Sequence, residues 1–247
     1  MYLKTQALVL RVTDYNDRDA LLTVLTPNYG KLTVKARGLR RKNSPLIATC
    51  QLLAFGEFAL FEYKGSYTVN EATSIELFQP LRKDLAKLSL GTYFAQVAEL
   101  ISQEDLPNPE LLSLVLNCFH ALSRMNEPER KVKAVFELRC ACLAGFLPDL
   151  TYCHGCGAEN PDRFDISAGR LECSRCRAAD SAGLRMPINA GILQAMRYIC
   201  MCDPKKLFSF KLGEENIIHL AEVTECYLTA QLERGFSTLD FYKSLLL

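Results

Sequence analysis

The spacing of four cysteines constrains this chain more than any other feature of its sequence. Cys153 and Cys156 form one C-x2-C pair, and Cys173 and Cys176 form a second after 16 intervening residues. This spacing is typical of paired zinc knuckles, in which two turns each present two thiolates to one tetrahedral ion. Four thiolates complete the coordination sphere and leave no position for water. The sequence therefore predicts one structural Zn²⁺ ion rather than a catalytic metal.

Two other interpretations of these cysteines are a redox C-x-x-C pair and four free thiols. A redox pair normally lies at the start of a helix after a strand, and two matched pairs are hard to explain in that way. A complete set of four cysteines makes His154 unnecessary as a ligand, and Arg175 and Arg177 can offset part of the thiolate charge. The other seven cysteines stand in apolar surroundings and are expected to be small buried residues: Cys50, Cys118, Cys140, Cys142, Cys200, Cys202 and Cys226.

Charge and hydropathy exclude a whole-molecule attraction to nucleic acid and a membrane-spanning helix. The 247 residues carry a formal net charge of +1, so electrostatic binding requires a local patch. The apolar stretch 111–119 is far shorter than the roughly 20 residues that a bilayer span requires. The N-terminal residues do not form a secretion signal, so we expect a cytoplasmic protein with reduced thiols.

The first 80 residues show the alternation and turn residues of short strands. Pro27-Asn28-Tyr29-Gly30 is a turn sequence, because proline presets φ and glycine accepts a positive φ. The predicted strands are Leu3–Val12, Ala20–Thr26, Lys31–Arg37, about 49–63 and 66–77. Five short strands in this length favour a small closed barrel of the OB-fold type over residues 1–80.

Residues 81–247 are predicted to form a helical domain, which makes the fold class α+β. Apolar residues recur at helical spacing from about residue 82, and Pro107 and Pro109 separate the first long helix from the second. The second helix is predicted at about 109–125 and the third from about 127 to 144; further helices follow at about 188–201 and 214–234. The cysteine segment, 149–182, is predicted to be an insertion within this domain.

A run of cations follows the predicted turn at residues 27–30. Within twelve residues that contain no acid stand Lys31, Lys35, Arg37, Arg40, Arg41 and Lys42. A basic strand and loop on an OB barrel is how such folds track a phosphate backbone. Arg11 and Arg18 could extend this track. The alternative is a solvated edge strand that uses charge to block aggregation.

Aromatic residues near the basic run admit two interpretations. Tyr29, Tyr63 and Tyr67 could stack on bases, or they could fill the core or cover one end of the barrel. The pattern of cations and aromatics does not separate DNA from RNA.

The sequence resembles the RecO family of bacterial recombination mediators. Residues 15–44, YNDRDALLTVLTPNYGKLTVKARGLRRKNS, are similar to that family's opening, with its "LLT-x-LT" strand followed by "GK" and a basic "A-x-G-x-R" run. Residues 143–157, LAGFLPDLTYCHGCG, with GRLECSRC after them, are similar to the family's helix end and zinc knuckle. The similarity in order and spacing extends over roughly residues 1–200.

The resemblance implies an N-terminal OB-fold and a helical domain that carries the zinc knuckle. It also implies binding of single- and double-stranded DNA, annealing of complementary strands, and help in loading the RecA recombinase onto DNA coated with single-strand binding protein. The implied partners are RecR and the acidic C-terminal tail of the single-strand binding protein. A pocket for that tail should combine apolar side chains with cations, for which the candidates are Arg130, Lys131, Lys133, Arg139 and Arg197.

The sequence favours a non-catalytic mediator over two other functional classes. It contains no G-x-x-x-x-G-K-[ST] motif, and its three histidines are scattered. One alternative is an RNA-binding factor of transcription or translation that uses the same barrel and zinc ribbon. A zinc-dependent nuclease is a weaker alternative, since no cluster of carboxylates with two-metal spacing stands out.

Overall fold

The computed structural model of the protein describes residues 2–125, 127–176 and 183–246. The chain divides into two compact units, Met1–Met125 together with Phe236–Leu247, and Asn126–Gly235. The first unit thus includes helices beyond residue 80, because they pack against the barrel and against one another. The predicted domains 1–80 and 81–247 stay a prediction. In the described ranges, no helix combines the length and the apolar character that crossing a bilayer requires.

Five strands in the described part of the first unit close into a barrel, which confirms the predicted OB-like fold. They are β1 (Tyr2–Asp14), β2 (Ala20–Thr26), β3 (Gly30–Ala36), β4 (Phe55–Tyr63) and β5 (Ser66–Glu76). Their order around the barrel is β1-β2-β3-β5-β4. Neighbouring strands are antiparallel except β3 and β5, which are parallel and pair at Val34 with Tyr67 and at Lys35 with Thr68.

Alternating apolar side chains fill the barrel. The core includes Ala7, Val9, Leu22, Val24, Leu32, Val34, Phe58, Leu60 and Val69. Leu8 and Leu10 lie on the opposite side of β1 and are also buried, because the helix Leu85–Ile101 packs against this strand. Arg11 on β1 forms an ion pair of 2.9 Å with Glu99 of that helix. The outer face of the barrel is therefore covered by this helix near Leu8.

The predicted strand at about 49–63 begins six residues later than expected, at Phe55. Residues before it form hydrogen-bonded turns, in which the Cys50 N–H donates to the Leu46 carbonyl oxygen at 2.9 Å. Leu53 has a φ of 63°, which is incompatible with a regular strand. Leu46 and Cys50 belong to the barrel core, so apolar residues that cap the barrel resembled a strand in the sequence.

Helices complete the first unit. They are α1 (Gln79–Arg82), α2 (Leu85–Ile101), α3 (Pro109–His120) and α7 (Ser237–Ser244). A π-helical turn at Ala121–Met125 continues α3. Asp84 caps α2 by accepting hydrogen bonds from the N–H groups of Ala86 and Lys87. The helix α7 was not predicted; it buries Leu239 and Tyr242 and packs against α2.

The described part of the second unit combines three longer helices with a small sheet. The helices are α4 (Glu129–Leu143), α5 (Ala190–Met201) and α6 (Glu214–Gln231), with a short 3-10 turn at Pro204–Lys206. The sheet contains β6 (Arg163–Asp165), β7 (Arg170–Glu172) and β8 (Arg185–Pro187) in the order β7-β6-β8. It lies between α4 and α5 in the chain, as the predicted insertion does. Residues 177–182 of the predicted segment 149–182, with Arg177, lie outside the described residues.

Candidate functional site

The six cations of the basic run lie on β3 and on the turns that follow it, and we call this set the basic face. They are Lys31, Lys35, Arg37, Arg40, Arg41 and Lys42. Leu32, Val34 and Ala36 point into the barrel, so alternation directs Lys31 and Lys35 outward as predicted. After β3, Leu39 and Leu46 are buried in the barrel core and anchor the turns that carry Arg40, Arg41 and Lys42.

Asp19 fixes the position of these turns. Its Oδ1 accepts a hydrogen bond of 2.8 Å from the N–H of Gly38, and its Oδ2 lies 3.2 Å from the Lys35 ammonium. The Gly38 N–H, the Asn16 side chain and Lys35 together lower the pKa of Asp19 to about 2. Because the carboxylate stays ionised at neutral pH, it holds the β1–β2 loop against the basic face.

The cations of the basic face differ in their availability. The Lys31 ammonium donates to the backbone carbonyl of Glu99 at 2.9 Å, and Arg40 pairs with Asp14 at 3.1 Å. Arg37, Arg41 and Lys42 are exposed and have no ion-pair partner among residues 2–125. These last three are therefore the cations most accessible to a phosphate.

The two residues that could extend the basic face also differ. Arg11 pairs with Glu99 and donates to the hydroxyls of Thr13 and Thr23. Arg18 is exposed, and its backbone carbonyl accepts a hydrogen bond from the Arg40 N–H at 3.1 Å. Arg18 thus lies beside the basic face, whereas Arg11 is occupied by α2.

The three tyrosines considered from the sequence lie in different places. Tyr67 is half-buried against the barrel core, whereas Tyr63 is 61% exposed next to the β4–β5 turn. Tyr29 stands in the β2–β3 turn, at the opposite end of β3 from Arg37. Three further exposed aromatic residues of the barrel strands and loops were not recognised in the sequence: Tyr2, Tyr15 and Phe61. The strand register joins Tyr2 to Phe61, a pairing that no local sequence pattern indicates.

The four predicted metal ligands meet at one point in the second unit. The Sγ atoms of Cys153, Cys156, Cys173 and Cys176 all lie within 4.8 Å of one another. The Sγ atoms of Cys156 and Cys173 are 3.7 Å apart, and the Cys173 N–H donates to Cys153 Sγ at 3.2 Å. Burial raises the pKa of Cys153, but the backbone N–H groups of Cys156, Gly155 and Cys173 outweigh burial and lower it to about 6. This arrangement can hold a metal ion by four thiolates.

Local structure explains why the cysteines converge. β6 and β7 form an antiparallel hairpin that carries the second cysteine pair, and the His154 N–H donates to the Leu171 carbonyl of β7 at 2.8 Å. A Cβ atom on Gly155 would lie 2.8 Å from the Cys176 Cβ, so the close approach of the two turns requires a glycine. The His154 side chain is exposed, and the cluster of possible ligands in the described residues consists of the four cysteines without it.

Sequence comparisons with known proteins match both the N-terminal and the C-terminal part of the chain to one family. Residues 1–78 match the family model "Recombination protein O N terminal", and residues 82–240 match "Recombination protein O C terminal". The chain is 34% identical over 247 residues to the DNA repair protein RecO of Acetivibrio thermocellus, covering 99% of this chain and 97% of that protein. The RecO proteins of Alkaliphilus metalliredigens and Bacillus subtilis are 29% and 27% identical, covering 99% and 92% of this chain and 100% and 88% of their own lengths.

The chain belongs to the RecO family. The family resemblance of the sequence, which rested on residues 1–200, is thereby confirmed and extends to residue 240. Neither match identifies the residues that contact a partner, so the roles of the basic face and of the cysteines stay predictions.

The five cations that the sequence suggested for a tail pocket have different surroundings in the structure. Lys131 is buried between Glu127 and the Phe208 carbonyl, and Lys133 is buried between Glu137 and Glu225. Arg139 donates to the carbonyls of Ile199 and Cys200. These three stabilise the packing of the second unit. Arg130 is half-buried on α4, and Arg197 lines a cavity.

That cavity has a volume of about 840 Å³ and lies wholly within the second unit. Arg197 reaches across its wall and donates to the carbonyls of Leu150 and Thr151, both at 2.6 Å. Apolar side chains from the loop before the metal site and from α5 line it as well, including Leu147, Leu150, Tyr152 and Met201. Asp149 and Glu159 add negative charge to the same wall.

The seven cysteines outside the metal site are only partly buried as predicted. Cys50, Cys118, Cys140 and Cys200 are buried, whereas Cys142, Cys202 and Cys226 are half-buried. Burial raises the pKa of the Cys50 thiol to about 12, so this residue behaves as a small apolar side chain.

Proposed function

We propose that this protein is a DNA repair and recombination mediator that binds single- and double-stranded DNA and anneals complementary strands. In this proposal it also helps to load RecA onto DNA coated with single-strand binding protein, and it acts in the cytoplasm at the nucleoid. Membership of the RecO family supports the repair and recombination class. The observation that supports DNA binding is the exposure of Arg37, Arg41 and Lys42. The turns that carry Arg41 and Lys42 are held at the barrel by the buried side chains of Leu39 and Leu46.

The proposed mechanism is electrostatic rather than catalytic. Each cation that meets a phosphate releases condensed counterions, which favours binding without regard to base sequence. A surface that neutralises phosphates on two strands also reduces their mutual repulsion, and this brings complementary bases within pairing distance. The anchored turns fix the backbone that carries the cations, so binding costs little backbone conformational entropy.

We further propose that the four cysteines hold one structural zinc ion. A tetrahedral ion with Zn–S distances of about 2.3 Å separates its sulfur ligands by about 3.8 Å. The 3.7 Å between the Sγ atoms of Cys156 and Cys173 fits this value. Bound zinc would supply no reaction chemistry here, since four thiolates fill its coordination sphere; Cys153, Cys156, Cys173 and Cys176 would hold the knuckle against β6 and β7.

The proposed protein partners are RecR and the C-terminal tail of single-strand binding protein. Among the tail-pocket candidates, Arg197 has the best support because apolar residues surround it in the cavity. The carboxylates of Asp149 and Glu159 would repel the acidic residues of the tail. We therefore propose that the tail places its apolar residues, not its acidic ones, beside these two carboxylates in the cavity. Fluorescence anisotropy with a labelled tail peptide tests this site: Arg197→Glu should weaken binding, whereas Arg130→Glu should not.

A strand-annealing assay on DNA coated with single-strand binding protein tests the main proposal. The variant Arg37→Glu, Arg41→Glu, Lys42→Glu should anneal more slowly than the unaltered protein. A triple reversal of exposed lysines in the second unit, at Lys205, Lys206 and Lys211, gives the same change in net charge and should anneal normally. Equal loss in both variants would show a net-charge effect. A strong preference for structured RNA over DNA would instead favour the RNA-binding alternative.

A further inference from the structure

Exposed aromatic side chains lie in one row on the outer face of the barrel. Tyr2 on β1 pairs with Phe61 on β4, and their ring centroids are 5.3 Å apart. Tyr2 is 70% exposed, Phe61 40% and the neighbouring Tyr63 61%. Three exposed rings that lie together form an apolar patch, and patches of this kind mark interaction sites on soluble proteins. The position of these three rings on the outer face therefore indicates a binding surface.

Strand register connects this row to the basic face. Phe61 pairs with Thr68 on β5, and Thr68 pairs with Lys35 on β3. Cross-strand partners point to the same side of a sheet, and adjacent strands lie about 4.8 Å apart. Phe61 therefore stands about 10 Å from Lys35 along the outer face. Because β3 and β5 run in parallel, the β4–β5 turn extends from this row toward the start of β3, at Lys31, and away from Arg37.

Cations are interleaved with these rings. The Lys64 ammonium lies 5.5 Å from the centroid of the Tyr63 ring. At the other side of the row, the Lys35 ammonium lies 4.4 Å from the centroid of the Tyr15 ring, which is 55% exposed. We call Tyr2, Phe61, Tyr63 and Tyr15 the aromatic band. A groove that combines aromatic rings with cations is the recurring solution for holding an unpaired nucleic-acid strand.

We propose that the aromatic band is a stacking site for the unpaired bases of single-stranded DNA, with Tyr2, Phe61 and Tyr63 as the base-contacting residues. This inference rests on the proposed DNA binding and assigns its selectivity for single strands to particular residues. A duplex keeps its base faces stacked on one another, so it can use the basic face but not the rings. The band therefore gives additional affinity to single strands alone.

Substitution of the rings by leucine tests this site, because leucine keeps apolar bulk but has no π-face. The double variant Phe61→Leu, Tyr63→Leu should bind an oligothymidylate about tenfold or more weakly, since stacking on one base contributes about as much as a tenfold change in affinity. Its binding to a duplex of equal length should be unchanged. Phe241→Leu on α7 is the matched control, because Phe241 is also 50% exposed in the first unit.

A fluorescence experiment gives a second measurement. The chain contains no tryptophan, so Phe61→Trp introduces a single reporter. Stacking predicts that its emission is quenched by oligothymidylate but not by an abasic strand with the same number of phosphates. The unaltered protein should likewise bind the abasic strand about tenfold more weakly than oligothymidylate.

Several results would overturn the inference. They are unchanged single-strand affinity in the leucine variant, an equal loss for single strands and duplex, or equal quenching by the abasic strand. A change in oligomeric state on sizing with light scattering, without a change in DNA affinity, would identify the band as a contact between copies of this chain. Failure of the unaltered protein to bind any DNA would instead refute the proposed function on which the inference rests.

Discussion

The Lys31 ammonium donates a 2.9 Å hydrogen bond to the backbone carbonyl of Glu99, in the last turn of α2. The carbonyl groups of a helix C-terminus carry partial negative charge and have no partner within the helix. Lys31 therefore joins β3 to the end of α2, although the sequence places it in the basic run. The same ammonium cannot be fully available to a phosphate.

We expect Lys31→Gln to lower the free energy of unfolding by about 1 kcal/mol, because the helix end loses a charged donor. Urea denaturation measures this loss. The salt dependence of DNA binding should change little. Lys42→Gln is the control, with an exposed side chain and unaltered stability. Unchanged stability of the Lys31 variant, together with a smaller salt slope, would show that Lys31 contacts DNA instead.

Reversal of the three available cations should reduce the salt dependence of single-strand binding. If Arg37, Arg41 and Lys42 each meet one phosphate, the slope of log K against log salt should fall by about 2, at about 0.7 per contact. Titrations at several salt concentrations measure the slope. An unchanged slope in the folded triple-glutamate variant would mean that these cations only solvate the surface.

Asp19 should make the stability of the first unit depend on acid pH. Its pKa is lowered from 3.8 to about 2 in the folded protein, so its stabilising contribution is complete above about pH 4. This contribution is lost as the pH falls from about 4 through 2, where the folded carboxylate becomes protonated.

The Asp19→Asn variant should lack this part of the pH dependence. Urea denaturation of the two proteins between pH 5 and pH 2 should give curves that converge toward the acid end. The exposed residue Asp17 supplies the control variant Asp17→Asn. Parallel curves for Asp19→Asn and the unaltered protein would contradict the role of this carboxylate.

Loss of the metal should loosen the cysteine segment. Cys173→Ser, or treatment with a chelator, is expected to remove one zinc ion per chain, because three thiolates bind the ion much less tightly than four. Elemental analysis measures the zinc, and hydrogen exchange over residues 153–173 measures the loosening. Cys202→Ser is the control outside the cluster. Protein prepared with zinc available but found without any metal would exclude the site.

The ion pair between Lys133 and Glu137 is buried in the second unit, with an Nζ–Oε1 distance of 2.9 Å. Burial raises the pKa of Glu137, and Lys133 opposes that rise. Lys133→Ala should lower the free energy of unfolding by about 3–5 kcal/mol, because it leaves a buried carboxylate without its cation. Urea denaturation measures the effect, and a loss no larger than that of Arg130→Ala would contradict it.

The parts of this fold that local sequence patterns determine could be predicted. The parts that depend on contacts between residues distant in the sequence could not. β2 has the predicted bounds, Ala20–Thr26, because alternation and the following turn are both local features. The helix α7 was missed because only Leu239 and Tyr242 are buried in its eight residues, too few for a clear helical period. Residues 49–54 resembled a strand because burial at the end of a barrel also selects apolar residues.

The candidate site shows the same division. The spacing of Cys153, Cys156, Cys173 and Cys176 is sufficient to predict that their sulfur atoms converge. The partner of Lys31 is 68 residues away in the sequence, and Phe61 is 59 residues from Tyr2. Such relationships depend on strand register and on how α2 packs, which a local pattern does not contain.

The barrel closes where β3 meets β5, through the pairs Val34–Tyr67 and Lys35–Thr68 in the described part of the chain. Parallel pairing is slightly less stable per residue than antiparallel pairing, so this short seam should open before the other strand pairs. A DNA strand that extends from Lys35 to Phe61 would cross the seam and bind the closed barrel more tightly than the opened one. By mass action, bound DNA would then raise the thermal stability of the barrel.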